Sequence, residues 1–357
     1  MPQRAIPYLF MRGGTSRGPF FNRADLPEDL DELAEVLIEV IGAGHPLNID
    51  GLGGGAAVTT KVAMLSPSDD DWADIDYFFA QVSVEDRLVD YKPTCGNMLT
   101  AIGPAALEMG MVQPIGDETP VRIRAVNTGA EVLSVVQTPC GAVEYQGETK
   151  VDGIPGHAAP IRLNFRKVSG SATGSLLPTG NLRDEFDGIE VTCMDVAMPV
   201  VMARADAFGL TGYESREELD ANREFFARME AIRLQAGEAM GMGDVSKSVT
   251  PKFTIIAPAR ESGSIAARYF MPWQTHPTLA VTGAQCIAAC ALAPGTVADG
   301  LWIRPNANPV NLQLEHPSGA IDVAIDFENG SDGFRVNSAG LTRTARKIAV
   351  GHVFVGT

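Results

Sequence analysis

The chain is short of positive charge: 28 Lys and Arg stand against 44 Asp and Glu in 357 residues, a formal net charge of −16. Such a surface repels nucleic acid and anionic membranes, so neither is an expected partner. Apolar runs long enough to cross a bilayer, roughly 20 residues, are also lacking. The least polar stretch, 280–298, is interrupted by Gly283, Gln285 and Pro294, which reads as a buried core helix. Nothing at the start resembles a secretory leader, because Met1-Pro2-Gln3-Arg4 runs directly into a strand-like segment, 6–11. Cysteines are few and odd in number (95, 140, 193, 286 and 290), which suits reduced thiols in a cytoplasm better than a disulfide framework. The five histidines (45, 157, 276, 316 and 352) are dispersed, and Cys286 and Cys290 have no second ligand pair at zinc spacing. No metal or other cofactor is therefore expected.

What is present is a β-rich chain with turns: 37 Gly and 23 Pro punctuate short runs of β-branched and aromatic residues. These runs fall at 8–11, 58–65, 77–84, 121–126, 132–138, 191–194 and 200–203, then at 253–256, 267–270, 312–316 and 320–325. Two amphipathic helices are expected, one over 30–41 and a longer one over 219–240. The second is preceded by Ser215-Arg216-Glu217-Glu218, the pattern of a capping box. Two other segments, 96–111 and 283–292, are apolar almost all round, and a helix without a polar face must be wrapped by other structure. Each is followed by strands and a related phrase, PCGAVE at 139–144 and PSGAID at 317–322. Together these point to a duplicated domain, with a sheet in each copy rolled around its own central helix. The boundary is expected near 183/184, within the 178–188 linker, giving domains 1–183 and 184–357, and the last strand could pack back on the first domain.

Two residues stand out chemically. Cys95 lies where a turn, Pro93-Thr94-Cys95-Gly96-Asn97, feeds the first apolar helix, and free amides at such a helix start form an anion pocket. The alternative is a buried structural thiol. Lys61 is the single charge in the run Val58-Thr59-Thr60-Lys61-Val62-Ala63-Met64-Leu65, where alternation groups it with Thr59 and Ala63. A lysine held in a drier site can act as a base, and the alternative is an ordinary solvated lysine. The Gly51-Leu52-Gly53-Gly54-Gly55-Ala56 cluster fits a dinucleotide fingerprint only formally, since no strand precedes it and a β-type run follows. A loop bringing backbone amides to a ligand is the better reading. Gly14-Thr15-Ser16-Arg17-Gly18 matches the G-x-S-x-G nucleophile elbow, but the following Pro19-Phe20-Phe21 looks extended rather than helical. Thr15 and Ser16 are better cast as hydroxyl donors to a carboxylate.

The phrases MRGGTSRG (11–18), NIDGLGGG (48–55), TTKVAML (59–65), DYFFAQV (76–82), CGNM (95–98), VNTG (126–129), KVDGIPG (150–156), LLPTGN (176–181), AMPVV (197–201), MGDVS (242–246) and EHPSGAIDV (315–323) recur in order along nearly the whole chain. On them the chain resembles the PrpF-like family of 2-methylaconitate cis–trans isomerases, 3-methylitaconate isomerases and 4-oxalomesaconate tautomerases. The resemblance implies an α+β, diaminopimelate-epimerase-like fold, two similar domains each a β-barrel wrapped around a central apolar helix, with the site between them. It implies that Lys61 and Cys95 are the proton-transfer pair. Thr15, Ser16, Gly53, Gly54, Gly55, Thr59, Gly96, Asn97, Met98, Thr282 and Gly283 would receive the carboxylates of an unsaturated di- or tricarboxylate. The implied chemistry is cofactor-independent, either a 1,3-shift of a double bond or a cis–trans isomerisation, and a homodimer is compatible with it. Thr94, Thr60 and Trp273 depart from residues common in relatives (Asn, Ser and His), so the substrate can differ from the named ones. Two rival readings are a serine hydrolase using Ser16 and a non-catalytic polycarboxylate-binding protein.

Overall fold

The computed structural model describes residues 3–92, 94–151, 153–330 and 333–356. Pro93, in the turn before Cys95, and Asp152, in the phrase 150–156, lie outside them. The chain divides into two compact units, Met1–Phe165 with Thr342–Thr357, and Arg166–Leu341. The division falls earlier than the 183/184 read from the sequence, because a buried carboxylate ties the intervening segment to the second unit. Asp195 accepts the N–H groups of Ala172 and Thr173 at 2.8 Å and the hydroxyls of Ser171 and Thr173 at 2.9 Å.

The principal strands of the first unit are β1 (Arg4–Gly13), β2 (Ser16–Asn22), β3 (Lys61–Pro67), β4 (Ile75–Val82), β5 (Glu118–Ala125), β6 (Ala130–Gln137) and β7 (Ile161–Arg166). In that order each pairs with the next: antiparallel, parallel, antiparallel, parallel, antiparallel, antiparallel. Helix α1 (Leu30–Ile41) connects β2 to β3, and α2 (Gly96–Thr100) with α3 (Ile102–Glu108) lies between β4 and β5. Asp29 caps α1 by accepting the N–H groups of Asp31 and Glu32, and Gly42 ends it at φ 73°. Leu33, Leu37, Ile38 and Ile41 pack on Ile6, Phe21, Val62, Met64 and Val82, on one side of the sheet. Full burial of each such side chain contributes about 1.5–3 kcal/mol. On the other side, α2 and α3 touch β1, β2 and β3 as well as β5 and β6, so the sheet curls around them. The single helix expected over 96–111 breaks at Ala101. Pro104 has no N–H to give to the Thr100 carbonyl, so the hydrogen-bond ladder cannot run straight through.

The second unit has β8 (Ile189–Asp195), β9 (Pro199–Arg204), β10 (Lys252–Pro258), β11 (Ile265–Phe270), β12 (Val310–His316), β13 (Gly319–Gly330) and β14 (Gly333–Arg343). Their successive pairings repeat the order of the first unit: antiparallel, parallel, antiparallel, parallel, antiparallel, antiparallel. Helices α4 (Arg216–Ala221) and α5 (Arg223–Ala239) occupy the place of α1, and α6 (Val281–Leu292) that of α2 and α3. Buried throughout from Gly283 to Leu292, α6 touches β8, β9, β12 and β13. The duplication is therefore one of topology. The two matched phrases are not equivalent, since PSGAID spans the β12–β13 hairpin whereas PCGAVE follows β6. The helix expected over 219–240 is two helices. Ser215 and Glu218 form the capping box of α4, and Asn222 breaks the run by capping α5 through the Phe225 N–H. Strand β15 (Ala345–Val355) returns to the first unit and runs antiparallel to β1, from Arg4 opposite Val355 to Gly13 opposite Ala345.

Candidate active site

Lys61 opens β3, and Cys95 is the residue ahead of α2. Although 34 positions apart, they meet: Lys61 Nζ donates to Cys95 Sγ at 3.4 Å. The thiol is buried, 8% exposed, and Lys61 is half-buried. The ammonium group also lies 5.3 Å from the centroid of the Phe79 ring, within cation–π range. Tyr77, two positions earlier on the same face of β4, donates its hydroxyl to the Cys95 carbonyl at 3.3 Å. That tyrosine is fully buried, and burial first, with Cys95 second, pushes its pKa well above the usual value. The sequence reading missed Tyr77 and Phe79. Their period-two spacing in Ile75–Val82 was the available signal, since it sets both on the face that Lys61 and Ala63 use across the ladder.

The turn between β1 and β2 is pressed into this corner by glycine. A Cβ on Gly13 would stand 2.2 Å from the Asn97 carbonyl oxygen, one on Gly14 2.1 Å from Asn97 Oδ1, and one on Gly18 1.8 Å from the Lys61 carbonyl oxygen. Gly14 also adopts φ +48°. Asn97 then clasps Thr15 from both sides: Oδ1 accepts the Thr15 N–H at 3.3 Å and Nδ2 donates to Thr15 Oγ1 at 3.0 Å. Ser16 is 3% exposed, and its Oγ has no hydrogen-bond partner among the described residues. It begins a strand rather than a strand-to-helix turn, so the geometry of a nucleophile elbow is not formed. The N–H groups of Gly96, Asn97 and Met98 precede the first bond of α2, from the Leu99 N–H to the Cys95 carbonyl at 2.8 Å. Met98 itself is fully buried.

The glycine loop is built on a residue that the sequence reading did not single out. Asn48, buried at φ 47°, donates to the carbonyls of Gly42, His45 and Val84 and accepts the Gly55 N–H at 2.9 Å. The Gly53 N–H goes to the Ile41 carbonyl at 3.0 Å. Gly53 and Gly55 are thus committed to the loop itself, while Gly54 packs beside Thr59 and Arg17. Thr59 folds back on Ala56, its Oγ1 donating to the Ala56 carbonyl at 2.8 Å. The strand expected over 58–65 begins at Lys61, because 58–60 belong to this turn. No helix follows the loop, so the dinucleotide fingerprint is not realised. In the second unit, Thr282 and Gly283 lie in the first turn of α6, with Gly283 tight against the Tyr269 ring. Trp273 is 55% exposed and borders a cavity of about 310 Å³ with Asp220, Arg223, Phe226 and Glu230. Cys286 and Cys290 are fully buried, and burial raises both thiol pKa values.

A buried apolar helix inside a curled mixed sheet, twice over, defines the diaminopimelate-epimerase-like class of α+β proteins. Within it the chain belongs to the PrpF family, whose model, described as PrpF protein, matches residues 3–356. It is 44% identical over 356 residues to the 4-oxalomesaconate tautomerase of Pseudomonas putida, covering 100% of this chain and 98% of the other. It is 43% identical over 360 residues to the (4E)-oxalomesaconate Delta-isomerase of Novosphingobium sp., covering 99% and 100%. Among solved structures, a methylitaconate-delta-isomerase superposes with a TM-score of 0.92 at 31% identity, covering 99% of this chain and 96% of that one. The protein is an isomerase. Among the described residues no helix is long and apolar enough to cross a membrane.

Proposed function

We propose that the protein moves an allylic proton on a small unsaturated di- or tricarboxylate of the oxalomesaconate or methylaconitate kind, without a cofactor, using Lys61 and Cys95. The observation that carries this reading is the 3.4 Å contact between Lys61 Nζ and Cys95 Sγ. One member of the pair takes the allylic proton. The electrons of the broken C–H bond spread through the conjugated system into a carboxylate or keto oxygen. Return of a proton at the distal carbon completes a 1,3-shift, while rotation in the delocalised intermediate before its return gives cis–trans isomerisation. The unpartnered Ser16 hydroxyl and the amides of Gly96, Asn97 and Met98 are the nearby donors for the substrate carboxylates and the developing oxyanion. Thr15, held on Asn97 by two hydrogen bonds, frames them. Fixed donors aimed at developing charge are commonly the largest catalytic term, and positioned acid–base groups add about 10²–10⁴-fold.

The test is exchange in D₂O followed by NMR, with 4-oxalomesaconate and methylitaconate as substrates. Wild type is expected to exchange an allylic proton, and Lys61→Ala and Cys95→Ser to lose at least about a hundredfold in rate. Variants as fast as wild type would remove both residues from the chemistry. pH–rate profiles of the two single variants assign the base. Binding of the acids with no exchange by wild type would instead favour a carboxylate-binding protein.

A further inference from the structure

Away from the Lys61–Cys95 pair, three arginines stand side by side in a chain that is otherwise rich in acid. Arg12 of β1 lies directly opposite Arg17 of β2 on one side and directly opposite Arg346 of β15 on the other. Directly opposed residues share a sheet face, with Cβ atoms about 4.5–5.5 Å apart. Neighbouring contacts fix which face this is. Gly18, next to Arg17, is turned toward Met98 of α2, and Lys347, next to Arg346, reaches Glu108 at the end of α3 at 2.7 Å. By alternation Arg17 and Arg346 therefore point away from the inner helix. The Arg17 guanidinium lies 5.6 Å from the centroid of Phe10, which shares the face of Arg12.

Arg17 and Arg346 are exposed and Arg12 is half-buried. Among the described residues no carboxylate forms an ion pair with any of the three. Arg12 spends Nη1 on the carbonyls of Gly14 and Thr344 and on Thr344 Oγ1, at 2.9–3.1 Å, which leaves Nε and Nη2 for another acceptor. Burial first, and then Arg346, lowers the pKa of Arg12, so the two cations feel each other. Like charges directly opposite each other destabilise a ladder. A guanidinium fork is also the side chain best shaped to hold an oxyanion.

We propose that Arg12, Arg17 and Arg346 form a binding site for a multiply charged oxyanion, either a polycarboxylate or a phosphate, on the sheet face turned away from Lys61 and Cys95. Gly54, whose lack of a side chain leaves Arg17 Nη2 uncovered, and the Thr59 hydroxyl border its rim.

The experiment is calorimetric titration of the full chain at low ionic strength with two probes, inorganic phosphate and tricarballylate, a saturated tricarboxylate that cannot isomerise. Thermal unfolding is followed with each probe against sodium chloride of equal ionic strength. Wild type is expected to bind and to gain in midpoint. Arg17→Gln and Arg346→Gln should each weaken binding about tenfold or more, without lowering the probe-free midpoint, because each removes a like-charge contact. Arg87→Gln, which changes the net charge equally at a surface pair with Glu35, keeps wild-type binding. The probe that binds more tightly names the ligand class. Lys61→Ala keeps the event that Arg346→Gln loses, so this site and the proton-transfer reading fail separately. Wild type binding neither probe, or both arginine variants binding them as wild type does, would overturn the proposal.

Discussion

Replacing Gly18 by alanine tests how tightly the candidate site is set. The added Cβ would stand 1.8 Å from the Lys61 carbonyl oxygen, where real Cβ atoms come no closer than 3.0 Å. Both partners are backbone of neighbouring parallel strands, so no side-chain rotation relieves the clash, and β2 and β3 must part by about 1.2 Å. Overpacking of this kind costs about 1–3 kcal/mol. The displaced residue is Lys61 itself. Moving its backbone by that much stretches the 3.4 Å contact with Cys95 well beyond hydrogen-bonding range, and misplacement by about 1 Å is enough to lower a rate about a hundredfold. Denaturant unfolding and the exchange rate in D₂O are measured on the same preparation. The expected result is a folded protein, weaker by the stated amount, whose rate has fallen far more than its folded fraction. Wild-type rate together with wild-type stability would refute the claim that this glycine holds the lysine in place.

Further expectations follow from other contacts. Asn97→Ala removes both bonds to Thr15 and should cost about 1–2 kcal/mol, with a rise in KM as the turn bearing Ser16 loosens. Tyr77→Phe deletes the bond to the Cys95 carbonyl and should cost about 0.5–1.5 kcal/mol by thermal unfolding. Arg233 is fully buried and bound to Glu230 and to the carbonyls of Val245, Ser248 and Pro251. Arg233→Met strands those acceptors and should cost about 3–5 kcal/mol, read as a drop in denaturation midpoint. Arg162, and then Gln137, hold the Glu118 carboxyl at about 2, below its ordinary 4.5. Its folded-state pKa is depressed, so its contribution to stability is complete above about pH 5 and is lost as pH falls through 4.5 toward 2. Glu118→Gln should flatten that part of the acid unfolding curve, by a small amount because the pair is exposed.

Much of the architecture could be read from local pattern. The helix over 30–41 appears with those limits because its apolar spacing, its Asp29 cap and its Gly42 stop agree. The two all-apolar segments form the inner helices, α2 with α3 in the first unit and α6 in the second, since only a wrapped helix can dispense with a polar face. Closely similar runs misled where a local rule was overridden. Thr59 and Thr60 have the β-branched character of a strand but fold into the turn bonded to Ala56 and Val82. The long helix expected beyond 219 is cut by Asn222, whose side chain is better satisfied as a cap. The strands Ile161–Arg166 and Gly333–Arg343 went unread, and for the last strand, Ala345–Val355, only its packing on the first domain was anticipated, because its ladder joins residues as remote as Arg4 and Val355.

The sequence by itself determined the kinds of group available: one lysine in an apolar run, one thiol before an apolar helix, glycines where chains approach closely, and an excess of acid. Tertiary structure alone decided that the lysine and the thiol meet, that Asn97 clasps Thr15, and that Arg12, Arg17 and Arg346 share a face. Pattern along a chain fixes which way a side chain points relative to its neighbours. Which distant side chain it then meets depends on ladder register and on the curl of the sheet, and these are set by the packing of the whole unit.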